Sequence, residues 1–217
     1  MKLALVVVGD GRREYLQQSV PAATRHILHP INARIMVDDS GNPAYGDWLD
    51  QTYPEFIHVH GGRRGMAGAV QAGFTAALEH DPDYVCWVEE DMVLLRDLPV
   101  AGAAQVLDAI PELAQVTFKR KPWWGREVDL DDQLAAICEA APNHGERERY
   151  TWHDHIFSLN PCVIPARILK RGWPAGNEAE MTQQLLADGY LFATWGHVGD
   201  EPFVEHIGER RGDGWRL

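Results

Sequence analysis

The sequence predicts an α/β chain with a mostly parallel central sheet flanked by helices and a small antiparallel part toward the C-terminus. Three observations predict it. Near-continuous apolar runs at 3–8, 33–37 and 84–88 suit strands covered on both faces. Stretches with apolar residues at three- and four-residue steps alternate with those runs, the layout of a helix-covered sheet. Two of the runs end in acids, Asp38-Asp39 and Glu89-Glu90-Asp91, at the strand ends where such sheets bind ligands.

The elements follow in order. Residues 3–8 look superficially like a leader, but Gly9-Asp10-Gly11-Arg12-Arg13 stands where a small-residue cleavage site would sit, so the run reads as a first strand. Tyr15, Leu16, Val20, Ala23 and Ile27 share one helical face. A strand is expected at 33–37 and another at 56–60, whose alternation places His58 and His60 on one side, as sheet-surface residues. Met66, Val70, Gly73, Phe74, Ala77 and Leu78 trace a second helix, and its small residues allow close approach to the sheet or to a ligand. A strand over 84–88, a helix over 100–110 and a strand over 114–119 come next. Periodicity weakens across 122–151, with helix expected only over 130–140, and a long weakly patterned segment is usually functional. Strand character returns at 156–164. A helix over 178–187, closed by Gly189, precedes short strands at 191–195 and 203–207 and a polar tail.

Bulk properties narrow the function. With 217 residues and 45% hydrophobic content the chain can bury a core as a single domain. No apolar stretch approaches the roughly 20 residues of a membrane span. A net charge of −12 argues against a nucleic-acid partner, because phosphate backbones are held by clustered Lys and Arg. Cys86, Cys138 and Cys162 fit no zinc or disulfide spacing, which suits a cytoplasmic location.

The acidic block in "CWVEEDMVLL" raises a physical question, since carboxylates at the edge of a core repel one another and are costly to dehydrate. Two carboxylates two residues apart at a strand end face one side and can hold a hard divalent cation. A solvated strand end is the plainer alternative.

Several stretches, in order, resemble the GT-A type, family-two glycosyltransferases. "GRREYLQQSV" is similar to the segment after that family's first strand, with Arg12 and Leu16 in place and Gly11 where an Asn is common. "IMVDDSGN" resembles the second-strand end, which implies that Asp39 binds the nucleobase or ribose. "GMAGAVQAGF" resembles the helix under the diphosphate, with Gln71 for the usual Asn and Val70 for the usual Arg. "VEEDM" stands at the metal-binding acidic motif, its first acid lengthened to Glu89. "GNEAEMTQQLLADGY" resembles the helix carrying the catalytic base, which falls on Glu178, with Asn177 departing from the usual acid. "VEHIG" resembles the late His of the metal site, implying His206, with His197 as second candidate.

The resemblance implies a single GT-A domain: a nucleotide-sugar half at 1–95, an acceptor and catalytic half at 96–208, and a tail at 209–217. It implies an inverting transfer from a nucleotide-diphosphate sugar, with uracil favoured as the base, to a glycan, small-molecule or protein acceptor. Glu89, Asp91 and His206 would hold Mn²⁺ or Mg²⁺, and Glu178 would be general base. Gly9, Arg12, Asp39, Gly65, Gln71 and Glu90 would line the donor site, with Arg64 and Lys119 as further cations. Trp123-Trp124 is either a sugar-stacking platform for the acceptor or a loop anchor. His153-Asp154-His155 has metal-like chemistry but reads as a strand edge. Two other functions compete: a non-catalytic nucleotide or glycan-binding module, and a sugar nucleotidyltransferase using "GDGRR" as a phosphate loop.

Overall fold

The computed structural model describes residues 1–123, 125–174 and 176–209. In chain order the first half contains β1 (Leu3–Gly9), α1 (Arg13–His26), β2 (Ile31–Asp38), α2 (Pro43–Thr52), β3 (Ile57–His60), α3 (Gly65–Leu78), β4 (Tyr84–Glu89) and β5 (Met92–Leu94). The second half contains α4 (Val100–Ala109), β6 (Leu113–Phe118), α5 (Arg126–Asp129), α6 (Gln133–Ala140), β7 (His144–Glu146), β8 (Tyr150–His153), β9 (Cys162–Pro165), α7 (Ala166–Leu169), α8 (Glu178–Ala187), β10 (Leu191–Trp195) and β11 (Val204–His206). Among the described residues, no helix is long and apolar enough to cross a membrane.

One sheet runs through both halves in the order β3-β2-β1-β4-β9-β6-β10-β8-β7. The strands β3, β2, β1 and β4 pair in parallel, as do β6 and β10. β9 is antiparallel to both β4 and β6, so these two run the same way. The carboxyl ends of β1, β2, β4, β6 and β10 therefore open on one edge of the sheet. A separate antiparallel pair, β5 with β11, is the small antiparallel part expected from the sequence.

Alternation along β1 explains the two cores. Leu3, Leu5 and Val7 join the cluster with Leu16, Val20 and Leu107, while Ala4 and Val6 join Val70, Phe74 and Trp87 on the other face. The small residues of α3 do bring it close to the sheet. A Cβ on Gly73 would stand 3.0 Å from the Trp87 ring and 3.1 Å from Val6. Trp87 is fully buried and meets Phe74 edge to face at 5.6 Å, so truncating it to Ala would cost about 3–5 kcal/mol.

The sequence reading differs from the structure in several places. α2 went unnoticed although its start signal is present: Asn42 caps it, accepting from Ala44 N–H at 3.1 Å, and Pro43 follows at the first position. The 122–151 segment holds α5, α6 and a β7–β8 hairpin attached through β8 to β10. β5 is too short for any periodic signal. The strand expected over 156–164 is only β9; the preceding residues are a buried loop. There Phe157 N–H donates to Thr182 Oγ1 and Leu159 N–H to Glu178 Oε1, so side chains of α8 take the place of a strand partner.

Candidate active site

The acids that end β4 and the helix start of α8 meet at the open edge of the sheet. Arg12, just before α1, donates from Nε to Glu90 Oε1 at 2.6 Å and lies 3.1 Å through Nη2 from Asp91 Oδ2. Glu90 is almost fully buried, and its backbone N–H donates to Val8 O at 2.9 Å. Gly9 is small for this reason: a Cβ there would stand 3.0 Å from both Glu90 Oε2 and the Tyr45 hydroxyl. The cation demanded by the acidic block is thus in part Arg12. It answers Glu90 and one side of Asp91.

Asp91 has a second neighbour contributed by the far end of the chain. Pairing of β11 with β5 sets His206 opposite Met92, and Ile207 N–H donates to Asp91 O at 2.9 Å. His206 Nε2 lies 3.8 Å from Asp91 Oδ2. Burial pushes the imidazole below its ordinary range, and the nearby Arg120 and Arg12 push the same way against Asp91, so the ring is held neutral with a lone pair to offer. Its Nδ1 is buried without a hydrogen-bond partner. Gly208 closes the back of the pair, since a Cβ there would lie 2.6 Å from both Asp91 Oδ2 and His206 Cε1.

Glu89 faces the opposite side of the strand from Val88. Burial first, then the negative charges of Asp91 and Glu178, hold its carboxyl well above the usual range. Glu178 is at the first position of α8, where Asn177 caps the helix by accepting from Glu180 N–H at 3.1 Å. The departure at Asn177 therefore serves the helix end. Burial raises the Glu178 carboxyl, against the Leu159 N–H, Ser158 and Arg120. Glu89 thus feels the charge of both Asp91 and Glu178 at one edge of the sheet. The imidazole of His206 and the carboxylate of Asp91, 3.8 Å apart, are donor types that suit a hard or borderline divalent cation, while Glu89 does not join them in a three-ligand cluster with all ligand atoms within 4.8 Å of one another.

Arg120 is a member the sequence reading missed. It is buried just past β6, with Nε donating to Asn160 Oδ1 at 3.1 Å and Nη2 to Glu127 Oε1 at 2.8 Å, and its charge acts on both Glu178 and His206. The available signal was its position immediately beyond a strand end within Lys119-Arg120-Lys121. Lys119 is not free to serve the site: its Nζ donates to Asp132 Oδ2 at 2.6 Å and is buried.

The remaining expectations divide. Asp39 Oδ1 accepts from Arg64 N–H at 2.6 Å, at the start of α3, where Gly65 has φ +71° with open space beside it. Burial raises the Asp39 carboxyl against those backbone donors. Gln71 turns elsewhere: Oε1 accepts from Trp173 N–H at 2.8 Å and Nε2 donates to Thr75. Trp123 lies over His206 with ring centroids 3.8 Å apart and donates from Nε1 to Gly208 O at 3.4 Å. Lys121, Pro122, Trp123, Glu205, His206 and Gly208 line a cleft of ≈ 260 Å³. Trp124 and nearly all of the tail lie outside the described residues. His197 is bound instead to Glu148 O at 3.0 Å. His153 is buried beside Thr194, with burial pushing its imidazole down to about 3, and Asp154 pairs with Asn143. His153 and Asp154 are thus engaged within the fold.

No family model matches the sequence, and no curated protein matches it either. Solved structures do match in fold. A mannosyltransferase from Pyrobaculum calidifontis, solved with GDP-Man and Mn²⁺, superposes with a TM-score of 0.64 at 19% identity over 97% of this chain and 58% of its own. GalNAc-T7, solved with UDP, GalNAc and Mn²⁺, gives 0.64 at 10% identity over 98% of this chain and 45% of its own. TarS residues 1–349 of S. aureus gives 0.56 at 13% identity, covering 95% and 60%. The chain spans between 45% and 60% of the length of such structures. The architecture is a GT-A glycosyltransferase fold.

Proposed function

We propose that this chain, on the GT-A fold it shares with those transferases, is a metal-dependent inverting glycosyltransferase. It moves a sugar from a nucleotide-diphosphate donor to a hydroxyl acceptor. One observation carries the reading: β5–β11 pairing brings His206 beside Asp91 at the strand-end edge where Glu178 also sits.

Glu89, Asp91 and His206 would hold Mn²⁺ or Mg²⁺, which when bound stabilises the charge growing on the diphosphate leaving group. Asp39 and the start of α3 would face the nucleoside, with Gly65 leaving room for the phosphates. Glu178, its carboxylate held by Leu159 N–H, accepts the proton of the acceptor hydroxyl as that oxygen forms its bond to the anomeric carbon and the bond to the diphosphate oxygen breaks. Single displacement inverts the centre. Arg120 acts through its field, with Nε, Nη1 and Nη2 each already donating once to Asn160, the Lys121 carbonyl and Glu127. The neighbouring structures carry GDP-Man, UDP and UDP-GlcNAc, so donor choice in this chain is a matter for assay, with a UDP-sugar the first to try. A cytoplasmic site of action is part of the proposal, resting on three free cysteines.

The nucleotidyltransferase reading loses its phosphate loop, because the backbone N–H groups of Asp10 and Arg12 are turned onto the Glu90 carboxylate. The test is transfer or donor hydrolysis across nucleotide sugars with and without Mn²⁺, in wild type, Asp91→Ala and Glu178→Gln. Metal-dependent turnover lost in both variants supports the transferase. Donor binding without turnover in wild type would mark a non-catalytic module instead.

A further inference from the structure

A second group of ligand-bearing side chains lies on the sheet edge, apart from Asp91. β3 is an outermost strand, and its alternation sets His58 and His60 on one face with rings parallel to within 5° and centroids 5.6 Å apart. α2 lays Asp50 against them: Oδ1 is 2.9 Å from His60 Nε2 and 3.6 Å from His58 Nδ1. Gly46 lets α2 come this close, since a Cβ there would stand 3.1 Å from His60 Nδ1.

The far nitrogen of each ring is already engaged. His58 Nε2 lies 2.9 Å from the Tyr53 carbonyl oxygen, which only accepts, so the ring proton is at Nε2 and Nδ1 carries the lone pair. His60 faces a carboxylate from each nitrogen, Asp38 from Nδ1 at 3.4 Å and Asp50 from Nε2 at 2.9 Å, and in the tautomer with its proton toward the buried Asp38 the Nε2 lone pair points at Asp50. Two imidazole lone pairs and a carboxylate oxygen then converge with no donor among them. His58 Nδ1 is buried and has no hydrogen-bond partner. A proton on His60 Nε2 would satisfy one of these contacts and leave His58 unanswered.

We propose that Asp50, His58 and His60 bind a divalent cation of the zinc class, which ties α2 to β3 beside the strand end that carries Asp38 and Asp39. Metal–ligand bonds of roughly 2.0–2.1 Å at tetrahedral angles put ligand atoms about 3.3 Å apart. The observed 2.9 and 3.6 Å bracket that spacing, and all three atoms lie within 4.8 Å of one another. Two imidazoles with a single carboxylate select Zn²⁺ over Mg²⁺. The Tyr53 carbonyl and Asp38 carboxylate fill the outer positions that usually orient ligating histidines. The inference is independent of the sugar-transfer reading.

The test titrates metal-stripped wild type, Asp91→Ala, His58→Ala, His60→Gln and Asp50→Asn with Co²⁺, following its visible absorption, and then competes with Zn²⁺. One tightly bound Co²⁺, retained in Asp91→Ala and displaced by one equivalent of Zn²⁺, is expected. Affinity should fall by about tenfold or more in each variant of the three ligands, while circular dichroism shows them folded. Binding that survives when His58→Ala and His60→Gln are combined on the Asp91→Ala background, where the strand-end acids no longer offer a competing site, overturns the assignment. So does the absence of any zinc-induced shift in the His58 and His60 ring NMR signals, which would leave the cluster holding a proton alone.

Discussion

Arg12 Nε stands 2.6 Å from Glu90 Oε1, joining the residue before α1 to an acid that is almost fully buried at the end of β4. The guanidinium keeps partial access to water, while the carboxylate has almost none. Removing the cation therefore leaves a dehydrated anion without its partner. Arg12→Met should destabilise the fold by about 3 kcal/mol, at the lower end of the range for broken buried pairs because of that exposure. Glu90→Gln should cost less. Urea unfolding of both variants measures the difference, and equal losses would place the energy in packing.

Glu178 offers a paired test of activity and stability. Its raised carboxyl must be ionised to accept a proton, so kcat/KM should climb with pH through a limb above the ordinary glutamate value of 4.5. The sign for stability is opposite. A folded-state pKa above the unfolded one contributes stability at low pH that disappears as pH rises through the folded value. Glu178→Gln carries no charge, so it should be inactive yet lose less stability than wild type between acid and neutral pH. Thermal melts across pH beside transfer assays would show both effects, and an active Glu178→Gln would remove it as base.

Gly208 is a probe of the Asp91–His206 pair that adds only a methyl group. Because that group would fall 2.6 Å from both side chains, Gly208→Ala should weaken Mn²⁺ binding by tenfold or more, on the order of 1–3 kcal/mol of strain. Calorimetric titration with Mn²⁺ reads this directly. Unchanged affinity would mean that the pair does not ligate.

Trp123 separates two roles. Stacked on His206, it should position that ring, so Trp123→Ala raises the Mn²⁺ dissociation constant by several-fold, about 1 kcal/mol. If it served only as an acceptor platform, the acceptor KM alone would rise and metal affinity would hold.

Gln71 should be silent in catalysis. Its amide is spent on Trp173 N–H and Thr75, so Gln71→Ala should cost about 1 kcal/mol of stability and leave the donor KM unchanged. Steady-state kinetics against donor concentration decides it.

Local pattern was enough for much of the fold. β10 was placed at 191–195 with the bounds it has, and α3 was legible from its stripe and its small residues. α2, β5 and the β7–β8 hairpin escaped because their signals are short or because partners distant in sequence stabilise them. The buried loop before β9 read as strand, since apolar content reports burial and cannot say whether the backbone is paired by a ladder or by Thr182 and Glu178.

The sequence by itself determined the α/β class and the acids at the strand ends, and it supplied Asp91, Glu178 and His206 as candidates. Tertiary structure decided which of them meet. His206 rather than His197 stands beside Asp91 because β11 pairs with β5, Arg12 neutralises Glu90, and Lys119 is consumed by Asp132. Such choices depend on which hydrogen-bonding and charged groups exclude water together across long chain separations, and period and spacing along a chain carry no record of that.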